Sequence, residues 1–206
     1  AAFRAQGAVF SLNHPALDIG DMCIGCAWEH DLRADAIDAV EIMTTGTDVV
    51  RLGFLLPSIA RWDALCDTGR HVVPIGGSDD HRAGEGSGAF ESPIGDPTTM
   101  VEATDLSVAS LLEGLRRGRT VVRVTGPSAP MVVLTTREPL DADMVVARRT
   151  RLVAEVTGGI GRLLRVKRNG APFGSVVEID ADPFHFEADI EAPAEGEDRY
   201  LSLIHI

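Results

Sequence analysis

The order of apolar runs between residues 8 and 125 constrains the fold of this chain more than any other sequence feature. Short apolar runs predict five buried strands, at residues 8–13, 36–43, 71–75, 98–103 and 119–125. Helical spacing between them predicts helices at residues 58–68, with Ser58 as N-cap, and 106–117. Strands that alternate with helices predict an α/β fold with a mostly parallel sheet or a barrel, whose functional groups lie at the carboxyl ends of the strands.

Beyond Pro127 the pattern changes to alternating apolar and polar residues without helical stretches. This alternation predicts a second, all-β unit with an antiparallel, sandwich-like sheet, and Asn169-Gly170 is its strongest hairpin signal. The predicted domains are therefore residues 1–127 and 128–206.

Composition narrows the classes of partner. The formal net charge is -12, which disfavours nucleic acid as a partner. Hydrophobic residues make up 45% of the chain, enough for a core, yet no apolar run approaches the roughly 18 to 20 residues that cross a bilayer. We expect a small-molecule substrate and no membrane or nucleic-acid partner, while oligomeric state and compartment stay open.

Polar residues lie at or after the carboxyl ends of three of the predicted strands, with Glu41 late in the second. Asp79 and His81 stand two positions apart after the third strand, so that an extended backbone directs both side chains to one face. His14 follows the first strand, which predicts a metal site made by these three residues. The alternative is a turn, because Gly-Gly-Ser-Asp is ordinary turn composition.

Further residues near this edge have two interpretations each. Glu41 either orients a ligand histidine or the metal-bound water, or is a solvated carboxylate at a strand end. Arg82 and the glycine-rich loop at residues 84–88 either contact a phosphoryl group or form a mobile loop. Asp80 is expected to point away from its neighbours, in a surface or capping role.

The cysteines Cys23, Cys26 and Cys66 are too few for a dense disulfide framework. Cys23 and Cys26 have CxxC spacing, for which structural or incidental thiols are favoured over a disulfide, and a disulfide over a metal or redox role. Among the other candidates, the loop residues Trp28, Glu29 and His30 can line substrate, although an exposed surface is favoured. His71 and His185 are predicted to be structural.

Several of these segments together resemble the PHP (polymerase and histidinol phosphatase) superfamily, and most of all its branch similar to carbaryl hydrolase. The resemblance covers about residues 1 to 127. It is carried by Asn13-His14-Pro15, the Trp28 loop, Val40-Glu41-Ile42, Gly76-Gly-Ser-Asp79-Asp-His81, the run from Ile94 to Val101, the run from Leu112 to Thr120, and Thr125-Gly-Pro127.

The resemblance implies a partial, distorted TIM-like (PHP) barrel that holds two or three divalent metals, Mn, Zn or Fe. His14 would be the histidine of the His-Pro motif, and Asp79 and His81 would be the last two ligands. A metal-bound hydroxide would act as the nucleophile. The expected activity is phosphoester hydrolysis; a carbamate, ester or amide hydrolase on the same metals is the alternative, and a non-catalytic binding module is the alternative from another class.

The chain departs from the superfamily because it contains no His-x-His motif. Its first residues are typical of a helix end, so we expect further ligands upstream, and weak metal affinity and little activity for the 206 residues themselves. Residues 201–206 are not expected to continue the strand pattern and are interpreted as a non-native tail.

Overall fold

The computed structural model describes residues 2–23, 26–28, 36–44, 48–82, 85, 93–138 and 148–205. The chain divides into two compact units, Ala1–Ser128 and Ala129–Ile206.

The first unit is built on a parallel sheet of three strands in the order β1 (Ser11–Leu12), β2 (Ala39–Thr44) and β3 (Val73–Gly77). Every residue of β2 is buried, as expected for a central strand that is covered on both faces. The register of β2 against β3 shifts between Glu41 and Met43, because these two residues pair with the consecutive residues Ile75 and Gly76. The three predicted strands and their parallel arrangement are thus confirmed.

A helix connects β2 to β3 and covers the sheet. Helix α2 (Asp48–Cys66) runs continuously through Pro57, and its Phe54 packs against Met43 of β2. Its last turns are anchored to the start of β3, because the indole Nε1 of Trp62 donates a hydrogen bond of 2.7 Å to the carbonyl oxygen of Val72. The predicted N-cap at Ser58 is wrong: Ser58 lies inside the helix and is fully buried.

The remaining elements of the first unit do not extend the parallel sheet. Strand β4 (Thr98–Val101) precedes helix α3 (Val108–Arg116) in the chain, and strand β5 (Thr120–Arg123) follows it. The two strands pair with each other in antiparallel fashion. Ser107 caps α3 by accepting a hydrogen bond from the backbone of Ser110. Two short segments complete the unit, the one-turn helix α1 (Ala2–Ala5) and a 3-10 turn (Gly20–Met22).

This topology contradicts the predicted α/β class with a partial TIM-like barrel. Such a barrel needs parallel strands that are each followed by a helix. Within the described residues only α2 and α3 exceed one turn, and β4 runs antiparallel to β5. The chain is β-rich, with small sheets that are mostly antiparallel.

The second unit has no helix among its described residues. It contains two antiparallel sheets, in the orders β10-β7-β6 and β11-β8-β9. Their strands are β6 (Met131–Thr136), β7 (Arg149–Thr157), β8 (Leu163–Arg168), β9 (Ala171–Glu178), β10 (Phe184–Glu191) and β11 (Tyr200–His205). Alternate residues of β7 and β8 are buried, namely Leu152, Ala154, Val156, Leu164 and Val166.

Two local predictions for this unit have clear outcomes. Asn169 and Gly170, which both have positive φ, form the two-residue turn between β8 and β9, so the predicted hairpin is confirmed. The expectation that residues 201–206 leave the strand pattern is wrong, because β11 pairs with β8 through His205.

No helix in the described part of the chain is long and apolar enough to cross a membrane.

Candidate functional site

Glu41 and His14 form the best-defined polar contact at the carboxyl ends of the parallel strands. One carboxylate oxygen of Glu41, Oε2, accepts a hydrogen bond from the backbone N–H of His14 at 2.6 Å and another from its ring Nδ1 at 3.0 Å. The Glu41 side chain is only 7% exposed, so it needs such partners to compensate for its burial. Because a carboxylate only accepts, Nδ1 carries the proton and Nε2 is the nitrogen left for a ligand.

The local backbone positions these two side chains. His14 follows β1 with a φ of 35°, a left-handed conformation that non-glycine residues seldom adopt and that is concentrated at functional sites. Glu41 directly precedes the register shift of β2, and such irregularities re-aim side chains beside active sites. Next to it, a Cβ atom on Gly77 would lie 3.5 Å from Glu41 Oε1, so the glycine leaves space beside the carboxylate.

The contact changes the acid–base behaviour of His14. The hydrogen bond to Glu41 raises the pKa of the imidazole, partial burial opposes this shift, and the negative charges of Glu41 and Asp79 add to it. The influence of Asp79 shows that its carboxylate lies within electrostatic range of the His14 ring. Residues that follow β1 and β3, the two outer strands of this sheet, therefore act on one another at this edge.

Asp79 and His81 meet after β3. The His81 Nε2 and Asp79 Oδ1 atoms are 3.1 Å apart, close to the roughly 3.4 Å expected for two ligands of one tetrahedral ion with bonds of about 2.0 to 2.2 Å. Asp79 has a φ of 52°, a second left-handed residue at this edge. The His81 side chain is 80% exposed, so solvent reaches the pair.

The next residues form a turn rather than a further set of ligands. The Asp80 Oδ1 atom accepts a hydrogen bond of 2.7 Å from the backbone N–H of Arg82, which agrees with the capping role expected for Asp80. Arg82 is exposed. The predicted phosphoryl-binding loop at residues 84–88 lies outside the described residues except for Glu85, and so do Glu29 and His30.

Cys23 and Cys26 are joined by a disulfide, with their Cα atoms 5.3 Å apart. The favoured interpretation of both as unpaired structural thiols is therefore wrong, whereas Cys66 is buried and not oxidised. The cysteine segment folds back on the residues that follow β1, since the backbone N–H of Trp28 donates a hydrogen bond of 2.9 Å to the carbonyl oxygen of Pro15. Trp28 is half-buried rather than exposed.

This fold-back creates a contact that the sequence did not predict. Donor atoms of His14, Cys23 and Cys26 all lie within 4.8 Å of one another, the spacing of a group that can hold a metal, although the disulfide occupies both sulfurs. Among the described residues, His14, Asp79 and His81 do not form a group that meets the same distance. The CxxC spacing was visible in the sequence, but nothing in it placed these cysteines beside His14.

His71 and His185 lie away from this edge. His71 precedes β3, at the opposite end from Asp79, where its ring packs so tightly on Gly118 that a Cβ there would be 2.5 Å from Nε2. His185 lies in the second unit, 56% exposed, with Nδ1 at 3.8 Å from Glu155 Oε2.

No protein-family model, curated protein or solved structure matches the chain. The resemblance to the PHP superfamily therefore stays a prediction.

Proposed function

We propose that the first unit carries part of the centre of a metal-dependent hydrolase of the PHP type, with phosphoesters as the substrate class. The observation that carries this proposal is the double hydrogen bond from His14 to the buried carboxylate of Glu41. A histidine that donates one ring N–H to a carboxylate and presents its other nitrogen is the usual arrangement of a metal ligand.

The donor set fits hard and borderline divalent ions such as Mn²⁺, Zn²⁺ and Fe²⁺, because it combines imidazole and carboxylate groups. Asp79 and His81 can bind one ion together, given the 3.1 Å between their donor atoms. His14 would hold a second ion in this scheme, as in hydrolases that use two metals. His14, Asp79 and His81 are the proposed ligands.

Each protein group has a separate task in this scheme. Glu41 fixes the tautomer and orientation of His14 and makes its Nε2 a better donor. Asp79 would supply negative charge, and Arg82, which is exposed and directly follows His81, would pair with a phosphoryl oxygen. When bound, a divalent ion lowers the pKa of coordinated water and polarises the scissile group. Carbamates and carboxylic esters are the alternative substrates, because the same ions activate water for attack on carbonyl carbon.

Metal binding is tested first, by a measurement that also detects weak sites. Substoichiometric Mn²⁺ should broaden the ring NMR signals of His14 and His81. His71 is the internal control, because it precedes Asp79 by eight residues of mostly extended chain, roughly 20 Å or more. Equal broadening of all three rings, or none, would contradict a site at this edge.

Hydrolysis is tested on the metal-loaded chain with aryl phosphates and aryl carbamates, each with and without a chelator. We expect weak but chelator-sensitive turnover of the phosphates, reduced roughly 10- to 100-fold further in Glu41→Gln. The matched control is Glu155→Gln, which alters the exposed carboxylate beside His185 and should leave turnover unchanged. Turnover of carbamates alone would select the alternative, and the absence of both activities would support a binding module.

A further inference from the structure

We propose that Cys23 and Cys26 form a redox-controlled site with His14, which binds a thiophilic divalent ion such as Zn²⁺ when the disulfide is reduced and loses it on oxidation. The inference does not rest on the proposed hydrolase activity. It needs only the proximity of the three donor groups, all within 4.8 Å of one another, and the bond between the two sulfurs.

The distances suit a zinc site after a small rearrangement. Zn–S bonds of about 2.3 Å and a Zn–N bond of about 2.0 Å put tetrahedral ligand atoms about 3.5 to 3.8 Å apart. Reduction breaks the bond between the two sulfurs, and side-chain rotation can then open this space. Two cysteines and one histidine leave a fourth position open for water or another ligand, as in catalytic zinc sites.

The surroundings hold the donors in place without the disulfide. Glu41 keeps the His14 ring oriented through Nδ1, so Nε2 remains the donor. The cysteine segment is fixed beside Pro15 by the backbone hydrogen bond from Trp28, and the carbonyl oxygen of Trp28 accepts one of 3.4 Å from Arg61 Nη2. A disulfide between residues three apart closes a very short loop, which constrains the unfolded chain less than a long one. We therefore expect the fold to survive reduction.

The redox step is a thiol–disulfide exchange with a dithiol reductant. The S–S bond of the protein breaks and accepts two electrons and two protons, while the reductant forms its own disulfide. The ion then replaces the two thiol protons, which are released to solvent as two S–metal bonds form. Oxidation by a disulfide reverses the sequence and expels the ion.

Cobalt provides the test, because thiolate-to-Co²⁺ charge transfer absorbs in the near ultraviolet only when sulfur is a ligand. The full chain is reduced with dithiothreitol, freed of reductant without oxygen and titrated with Co²⁺. We expect a saturable charge-transfer band that Zn²⁺ abolishes, and no band in the oxidised chain. A reduced, folded chain with no such band would overturn the proposal, as would an equal band in the oxidised chain.

Variants assign the ligands. Cys23→Ser and Cys26→Ser should each weaken or remove the band, and His14→Asn, which suits the left-handed backbone, should keep a thiolate band but weaken Co²⁺ binding roughly 10- to 100-fold. Cys66→Ala is the matched control and should leave the band unchanged. Unchanged Co²⁺ affinity in His14→Asn would exclude His14 as a ligand. A cobalt band without turnover in either redox state would leave this site standing and refute the hydrolase.

Discussion

The backbone N–H and the ring Nδ1 of His14 both donate to the same oxygen of Glu41, at 2.6 and 3.0 Å. Glu41→Gln retains an acceptor oxygen but loses the negative charge. Since hydrogen bonds to charged groups contribute about 1.5 to 3 kcal/mol, we expect the free energy of unfolding to fall by about that amount near pH 6. Urea denaturation followed by circular dichroism measures it. The exposed Glu155→Gln should change it by less than about 0.5 kcal/mol, and equal losses in both variants would contradict the assignment.

Stability should also depend on pH through His14. Its folded-state pKa is raised, chiefly by the hydrogen bond to Glu41. The resulting stabilisation is fully present below the unfolded pKa of about 6.5, and it is lost as pH rises through the higher folded value. NMR titration of the His14 ring, with unfolding measured across the same range, checks this expectation. In Glu41→Gln the ring should titrate at lower pH and the loss should shrink; a titration identical to that of the wild type would refute the coupling.

Gly76 should be one of the least replaceable residues of the sheet. A Cβ there would lie 2.8 Å from Val122 Cγ1 and 2.9 Å from the backbone oxygen of Met43. We expect Gly76→Ala to lower the free energy of unfolding by about 1 to 3 kcal/mol, because the strand backbone cannot move aside. The matched control is Gly53→Ala in α2, where a Cβ would meet nothing within 4 Å. This substitution should raise the free energy of unfolding by about 0.5 to 1 kcal/mol. Thermal melts of both variants test this expectation, and a Gly76→Ala variant as stable as Gly53→Ala would contradict it.

Asp79→Asn separates charge from backbone conformation. Asparagine tolerates the φ of 52° at this position, so the fold should be retained. Loss of the negative charge should lower the pKa of His14 and weaken Mn²⁺ broadening of the His81 ring. Unaltered Mn²⁺ broadening in a folded Asp79→Asn chain would exclude the carboxylate as a ligand.

Ser58→Ala should stabilise the protein. The Ser58 side chain is fully buried in α2, and its hydroxyl has no hydrogen-bond partner among the described residues. Alanine removes this desolvated group and favours the helix, so we expect a gain of about 0.5 to 1 kcal/mol in denaturant unfolding. A loss instead would mean that the hydroxyl is bonded in solution.

The sequence predicted the part of the fold that depends on local patterns. Three apolar runs marked β1, β2 and β3, and polar residues at their ends marked the edge where His14, Glu41 and Asp79 lie. The change of period after Pro127 stands next to the division after Ser128. These features were accessible because burial and strand direction leave a repeating signature in the chain.

The errors arose where tertiary contacts override local signals. The helix was predicted to begin at Ser58, directly after Pro57, yet packing of Phe54 and Trp62 on either side of this proline stabilises one continuous helix. The barrel prediction was wrong because alternation of strands and helices does not specify whether the last two strands, β4 and β5, run parallel or antiparallel. The proximity of Cys23 to His14 depends on a hydrogen bond between Trp28 and Pro15, for which the sequence has no periodic signal.

The hydrogen bond from the Trp62 indole to the carbonyl oxygen of Val72 separates two parts of the chain. The part just before Val72 tolerates changes of length, and the part after it does not. An inserted residue at 67–71 can be taken up by the turn, because the anchor at Val72 still starts β3 at the same point. An insertion after Val72 would move each later side chain to the opposite face of the sheet and turn Asp79 away from His14. Natural variation in length is therefore expected before this anchor and not after it.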